Sequence, residues 1–546
     1  MSRVPVPSAD ASASAVAPPT RVAATQERVS PYAWYALAVL TLASVFNFAD
    51  RQIVSILAQS MKGDLGLTDA QLGFLLGTAF AVFYAVVGIA MGRIADGMNR
   101  TSLMAAGMAV WSATTALGAA ATNFAGLGSA RVGVGVGEAV ANPCANSLLC
   151  DYFPARLRGT ALGIYLTSAY LGMAVALLVG GLTLQHWSSM CTAVPIAAAC
   201  SVHAWKAALL IVGLPGLPVA ALVYSLREPN LENRPRPSRV RLILRELGAA
   251  LPPFTFINLY RAGGRGLLLA NFGLVAAVAV CAALLVRLTG DLAQWAALGL
   301  GVYSTVTWGQ VQKQTDAPFY RLTFGCPTYA VAMLSGALLG CLYAAISAWA
   351  APYAMRVLGM PPASAGVALG LTYAAGAGVG VISGGWLTDR WKLKDRRAPI
   401  WTALIGLIVA VPVFIVMLST RQASVYVAAY GVFGLFASAW SAAYAALVQD
   451  LVLSRMRGGA ASAFALVCVI VGAGAGPYWV GKLSAITGSL ATGLLSILLL
   501  VPVIVVVLLL TARRLRQETE SGRRARAEAY GEPKSSDPYV MRESQR

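Results

Sequence analysis

Ala130-Arg131-Val132-Gly133-Val134-Gly135-Val136-Gly137-Glu138-Ala139 sits inside an apolar run of membrane-spanning length. Charged side chains at the centre of a bilayer cost a few kcal/mol each. Arg131 and Glu138 are seven residues apart, and seven steps of about 100° return to nearly the same face of a helix. Gly133 and Gly137 lie on another side, where a neighbouring helix can pack closely. The stretch reads as a membrane helix that turns one charged stripe toward a wet cavity.

Composition extends this reading to the whole chain. Its 546 residues are 58% hydrophobic and 12% charged, with a mean hydropathy of +0.68; a soluble domain carries roughly 25% charged residues. Many apolar runs reach the length of about 20 residues that a spanning helix needs. The expected class is an all-α polytopic membrane protein. The alternation of an outer-membrane barrel is absent. The net charge of +19 does not argue for nucleic acid. Lys and Arg gather in short loops and near the C-terminus, as the positive-inside rule requires.

Six helices are expected between Tyr32 and Leu226, and six more between Pro327 and Thr511. Basic loops follow the second and fourth helices, and the other loops are charge-poor. This alternation predicts that both termini are cytoplasmic. The expected organisation is a disordered tail over 1–30, a six-helix half over 31–226, a linker over 227–320, a second half over 321–512 and a charged, disordered tail over 513–546. Within the linker, Val240–Leu247 has the pattern of a helix lying on the membrane surface. Two apolar runs near Leu267–Val286 and Ala293–Trp308 predict an inserted transmembrane hairpin, dispensable to a twelve-helix core. That makes about fourteen helices.

An internal repeat relates the two halves. Gly92-x-Ile94-x-Asp96 recurs 293 residues later as Gly385-x-Leu387-x-Asp389. Asp151-x4-Arg156-x-Arg158-Gly159 recurs 299 residues later as Asp450-x4-Arg455-x-Arg457-Gly458. Both fall at the cytoplasmic ends of matching helices. Parallel repeats of this kind build transporters that rock about a central site. Gly92, Asp96, Arg100, Asp151, Arg156, Arg158, Gly385, Asp389, Arg390, Asp450, Arg455 and Arg457 are the expected cytoplasmic gate. Their ion pairs and helix-end hydrogen bonds would hold that side shut in the outward-open state.

These residues resemble the major facilitator superfamily, whose signature between helices 2 and 3 is G-x-L-x-D-R-x-G-R. Gly92, Ile94, Asp96 and Arg100 fit it, while Gly97 and Asn99 depart from it. Asn47-Phe48-Ala49-Asp50-Arg51 looks like the N-x-x-D-R of Spinster-like transporters. The Arg131–Ala139 stretch, followed by Asp151-Tyr152-Phe153-Pro154, looks like their fourth helix. The anion:cation symporters share the N-x-x-D-R. The resemblance implies a bacterial transporter with two six-helix halves, related to animal proteins that move sphingolipids or lysophospholipids. It does not cover the hairpin. Helices 1 and 4 line the cavity in that fold, which would bring Asp50 and Arg51 beside Arg131 and Glu138.

Two acids and two bases in one cavity predict a proton site. Burial and a nearby arginine act on a carboxyl in opposite senses, so a rocking motion that changes their spacing loads or releases a proton. Asp50 is the expected carrier, Glu138 the second acid and Arg131 the switchable partner. Arginine also grips phosphate or carboxylate bidentately, so Arg131 and Arg51 are expected at the substrate head group. Asn142 extends the Arg131 stripe, and Asn47, Tyr84, Tyr165 and Tyr170 are expected lining. The second half offers no mid-span charge but carries Tyr343, Trp349, Tyr373 and Trp440. One charged wall facing one aromatic wall predicts an amphiphilic or lipid-like anion. The rival is a small carboxylate or sugar acid moved with protons.

An integral-membrane lipid-modifying enzyme is a further alternative. It lacks support, because His186 and His203 are the only histidines and neither has metal-ligand spacing. No cofactor, metal or nucleic-acid partner is expected. The expected setting is a monomer in the bacterial inner membrane, in contact with membrane lipids. Cys191 and Cys200 share one external loop, where a disulfide or two free thiols would both fit.

Overall fold

The computed structural model describes residues 29–193, 199–229, 248 and 254–533. The tail before 29, the expected surface helix at Val240–Leu247 and residues 534–546 lie outside the described residues.

The N-terminal half comprises α1 (Pro31–Leu65), α2 (Asp69–Leu76 and Thr78–Gly97), α3 (Arg100–Gly118), α4 (Phe124–Glu138 and Ala141–Tyr152), α5 (Ala155–Met190) and α6 (Ala204–Gly213 and Gly216–Tyr224). The hairpin follows as α7 (Phe254–Thr289) and α8 (Leu292–Thr315). The second half comprises α9 (Pro327–Arg356), α10 (Pro362–Lys392), α11 (Ala398–Ser419), α12 (Ala423–Asp450), α13 (Arg457–Val467, a π-helical segment Cys468–Gly474, and Ala475–Thr487) and α14 (Leu490–Ser496 and Leu500–Gln517). Eleven of the described helices are long and apolar enough to cross a membrane by length and composition. In hydrocarbon a spanning helix satisfies its own backbone, which is why hydropathy alone locates these elements.

Local chemistry sets the starts. Ser30 caps α1 ahead of Pro31, Thr68 and Gln71 form a capping box on α2, and Asn123 caps α4. Asn99, a departure from the signature, caps α3 by accepting from the Ser102 amide at 2.8 Å. The close approach expected at Gly133 and Gly137 is present. A Cβ at Gly137 would stand 2.7 Å from the Trp111 amide nitrogen and 2.8 Å from the Gly107 carbonyl oxygen on α3. Gly137→Val is therefore expected to cost about 1–3 kcal/mol by overpacking. The check is a lower Tm in detergent; an unchanged Tm would mean that α3 and α4 part freely.

The halves meet along α5 with α10, α2 with α13, and α1 with α9. At the charge-poor end they are closed. Asp69, 2% exposed, accepts from Arg356 Nη1 at 2.6 Å, Ser484 Oγ at 2.6 Å and Lys62 Nζ at 2.5 Å. Gln185 Oε1 accepts from the Ala363 amide at 3.0 Å. Glycine permits the contact of α5 and α10 there: a Cβ on Gly366 would lie 2.1 Å from the Leu177 carbonyl oxygen. At the arginine-rich end a cavity of about 630 Å³ separates α2 and α4 from α13.

Two expectations about the periphery change, and one left open is resolved. The hairpin is no appendage: α8 runs to Thr315, past the polar Gln310–Gln314 expected to end it, and packs against α2 and α13. A buried network ties it to α7, in which Asn271 donates to Thr307 Oγ1 at 3.0 Å and Gln310 Oε1 at 2.8 Å, and accepts from Tyr303 Oη at 3.0 Å. The tail after Arg513 is structured as far as Pro533: α14 continues to Gln517 and a further helix spans Glu520–Glu528. Its arginines pair with acids, as Arg526 does with Glu518, so its charge does not keep it unfolded. Cys191 and Cys200 form a disulfide.

Candidate functional site

Asn47, Asp50 and Arg51 lie within just over one turn of α1, and α4 brings Arg131 and Glu138 against them. Arg51 Nε donates to Glu138 Oε2 at 2.5 Å. The Arg51 guanidinium also lies over the Phe48, Phe80 and Tyr84 rings, with centroid distances of 5.0, 4.7 and 4.5 Å. Those faces favour a cation in a dry setting. Glu138 is fully buried, while the Arg51 side chain is 22% exposed. Asn47 is buried beside Glu138.

Arg131 behaves differently from expectation. It donates to three main-chain carbonyls: Asp50 at 2.9 Å, Leu75 at 3.3 Å and Arg51 at 3.5 Å. It is 4% exposed. Its fork pins α4 to α1 and α2, and substrate cannot reach it from the open cavity in this state. Asp50 is left with neither carboxylate oxygen hydrogen-bonded, although both are buried. Glu138, the Arg131 guanidinium and the Thr115 hydroxyl stand close to it. Buried polar atoms without a protein partner concentrate here: Asn47 Nδ2, Asp50 Oδ1 and Oδ2, Arg51 Nη2 and Glu138 Oε1. Such a concentration points to function, because a folded protein satisfies nearly all its buried polar atoms.

A hydrogen-bonded trio stands between this cluster and the cavity, with the Tyr84 ring against Arg51. Asn142 donates to Tyr84 Oη at 3.1 Å and accepts from Tyr165 Oη at 3.3 Å. Tyr84 and Asn142 line the cavity, so Arg51 sits directly behind that wall. The break in α4 after Glu138 turns Asn142 from the second segment of the helix toward Tyr84.

The aromatic residues expected as a wall come together in part, outside the lining of the open cavity. Tyr343 packs on Phe433 and Trp440, and Tyr373 stacks on Tyr430 at 4.8 Å. Tyr170 stands near Tyr373 across the two halves. Trp349 does not belong with them. It is fully buried, donates to the Pro477 carbonyl at 2.9 Å and packs into the closed end near Gly481.

The gate pairs seen join neighbouring segments of one half, or reach the linker and the C-terminal tail. Arg100 is completely buried, pairing with Asp151 and Glu228 at 2.7 Å each and donating to Ser147 Oγ at 2.6 Å. Glu228 accepts from the Arg100 and Thr101 amides, a helix-end role of the kind expected of Asp96, whose side chain lies outside the described residues. Arg158 turns back to the Phe153 carbonyl, and Arg156 is exposed. Asp450 pairs with Lys392, while Arg390 lies over Trp386 at 4.8 Å. Arg455 pairs with Asp316 and Glu532; Asp389 and Arg457 are exposed. Gly92 lines the cavity, and Gly385 faces Ala442. Among the described residues, none of these gate pairs joins the two halves, in keeping with an open arginine-rich end.

Comparison with known proteins settles the family. The Major Facilitator Superfamily matches residues 40–477. The chain belongs to the major facilitator superfamily. An MFS-type efflux pump of Mycolicibacterium smegmatis is 25% identical over 472 residues, covering 86% of this chain and 89% of that protein. A probable L-galactonate transporter of Escherichia coli is 27% identical over 175 residues, covering 32% of this chain and 38% of its own. A solved bacterial homologue of the human lysosomal transporter Spinster, inward-facing and unoccupied, superposes with a TM-score of 0.68 at 23% identity. That superposition covers 89% of this chain and 98% of that one. The superfamily's two rocking halves explain one closed end and one open end.

Sequence reasoning missed the closed-end lock of Asp69, Arg356, Ser484 and Lys62, the capping role of Glu228, and the share of α8 in the cavity. The available signal for the lock was an acid opening α2 and a base ending α9 at the same charge-poor end. Nothing in the sequence indicated that the two charges meet.

Proposed function

We propose that this major facilitator is a proton-coupled transporter of an amphiphilic anion, held here with its arginine-rich, cytoplasmic end open. The observation that carries the proposal is Asp50: a buried carboxyl with no hydrogen bond, beside a pinned Arg131 and behind the Arg51–Glu138 pair. Rocking of the halves opens and closes the water-filled cavity beside α1 and α4, and with it the hydration of Asp50 in the field of Arg131, so one proton is taken up on one side and released on the other. Arg51, the exposed member of the cluster, meets the anionic head group with Tyr84 and Asn142. An apolar tail then runs toward Tyr343 and Trp440. A head group that competes for Arg51 loosens Glu138, which links substrate to proton.

The test uses proteoliposomes with an imposed pH gradient and two probes, a fluorescent lysophospholipid and radiolabelled galactonate. Movement of the lysophospholipid supports the amphiphile. Galactonate movement alone would favour the second reading, a sugar-acid:proton symporter, which the similarity to the Escherichia coli protein supports.

A further inference from the structure

We propose that the groove between α3 and α6 holds a phospholipid of net negative charge, its phosphodiester against Lys206 and one acyl chain along the groove. Three observations combine.

First, the packing of the two helices creates the groove. Gly213 and Gly216 flank the break in α6 and bring it against α3. A Cβ on Gly213 would stand 2.8 Å from the Ala116 amide nitrogen, and one on Gly216 would stand 2.1 Å from Ser112 Oγ. Beside that contact a groove of about 720 Å³ runs to the charge-poor end, a size within the roughly 300–1,000 Å³ of ligand sites. Ala113, Ala116 and Ala120 form its floor on α3, and Leu210, Leu214 and Leu217 its wall on α6. Short side chains opposite long ones leave the space open.

Second, the groove faces hydrocarbon. Leu117, Leu214 and Leu217 on its rim are exposed. Apart from Ser201–His203 and Lys206, every lining residue is Ala or Leu. An acyl chain lying there gains dispersion contacts along its length.

Third, a single charge stands at the head-group end. Lys206 is the only Lys, Arg, Asp or Glu between Arg158 and Arg227, and there is none between Arg100 and Arg131. The Lys206 ammonium lies 5.2 Å from the Trp205 ring centroid, is half-buried and pairs with no acid among the described residues. Asp64 is engaged elsewhere, accepting from Trp205 Nε1 at 2.9 Å and facing His203 Nε2 at 3.1 Å. A partly desolvated ammonium favours an anion beside it, and a lipid phosphate at head-group depth supplies one.

The inference needs neither the transported substrate nor the proton. Its test uses phosphatidylcholine nanodiscs carrying a trace of one of two probes, a phosphatidylglycerol or a phosphatidylcholine with the same photoactivatable acyl chain. The readout is the yield of crosslinks in segments 113–120 and 206–217. The phosphatidylglycerol yield there is expected to exceed the phosphatidylcholine yield at least about fivefold, the usual effect of one lysine near an anionic surface. Lys206→Gln should remove the preference, and Lys206→Arg should keep it. Arg421→Gln, which removes an exposed charge at the same end, should leave it unchanged. Ala120→Trp, which fills the groove near Lys206, should lower the yield from both probes. Equal yields in the wild type would mark ordinary lipid contact and overturn the proposal. So would a preference that survives Lys206→Gln, one that Arg421→Gln removes equally, or yields that Ala120→Trp leaves unchanged.

Discussion

Asp50→Asn is expected to abolish proton-driven accumulation while leaving the fold intact. The substitution keeps the shape of the side chain and removes its ability to exchange a proton. It breaks no hydrogen bond, since neither Asp50 oxygen has one, so Tm in detergent should hold. With one proton moved per cycle, a gradient of one pH unit supplies about 1.4 kcal/mol, enough for roughly tenfold accumulation. The variant should reach no accumulation, yet still exchange substrate down its own gradient. Asp50→Glu should recover part of the coupling. Full gradient-driven accumulation in Asp50→Asn would remove Asp50 from the mechanism and leave Glu138 as the carrier. The contrasting variant is Arg131→Gln, which removes three main-chain bonds joining three helices and should lower Tm.

The second large effect is expected from Asp69→Asn. One buried carboxylate takes hydrogen bonds from Arg356, Ser484 and Lys62, and two of those partners belong to the opposite half. A hydrogen bond to a charged group contributes about 1.5–3 kcal/mol. Losing the charge should therefore shift the balance between the two states by roughly 10- to 100-fold toward an open charge-poor end. Spin labels at Met190 and Val357, both exposed at that end, report the change. The wild-type distance distribution should show the short, closed population, and Asp69→Asn a dominant longer one. Arg356→Gln should act in the same direction. An unchanged distribution would mean that the Gly181–Pro362 and Gly366–Leu177 contacts hold the end shut without the ion pair.

The two variants act on different things, and the structure explains why only one was foreseen. Asp50 announces itself as a charge within an apolar run. Asp69 sits at a helix start, where an acid is ordinary; its meaning depends on Arg356, 287 residues away. The same holds for the four central charges. Their co-location follows from helical spacing and the repeat, but the pairing does not. Arg51 takes Glu138, and Arg131 turns to the Asp50 and Arg51 carbonyls of α1 and to the Leu75 carbonyl beside the break at Gly77, because the rotation of α1 against α4 is set by their packing partners. Trp349 shows the reverse error: its position in an aromatic-rich helix suggests cavity lining, yet the tilt of α9 against α13 buries it in the closed end.

Sequence by itself determined the membrane class, most of the long apolar helices and the charges that make up the ionisable cluster. It could do so because a bilayer forces each span to satisfy its own backbone and makes every internal charge conspicuous. Tertiary structure alone decided which end is closed, which acid is paired, that Arg131 is a pin, and that α8 lines the cavity. Those outcomes rest on contacts between side chains far apart in sequence, whose geometry is fixed only when two helices lie against each other.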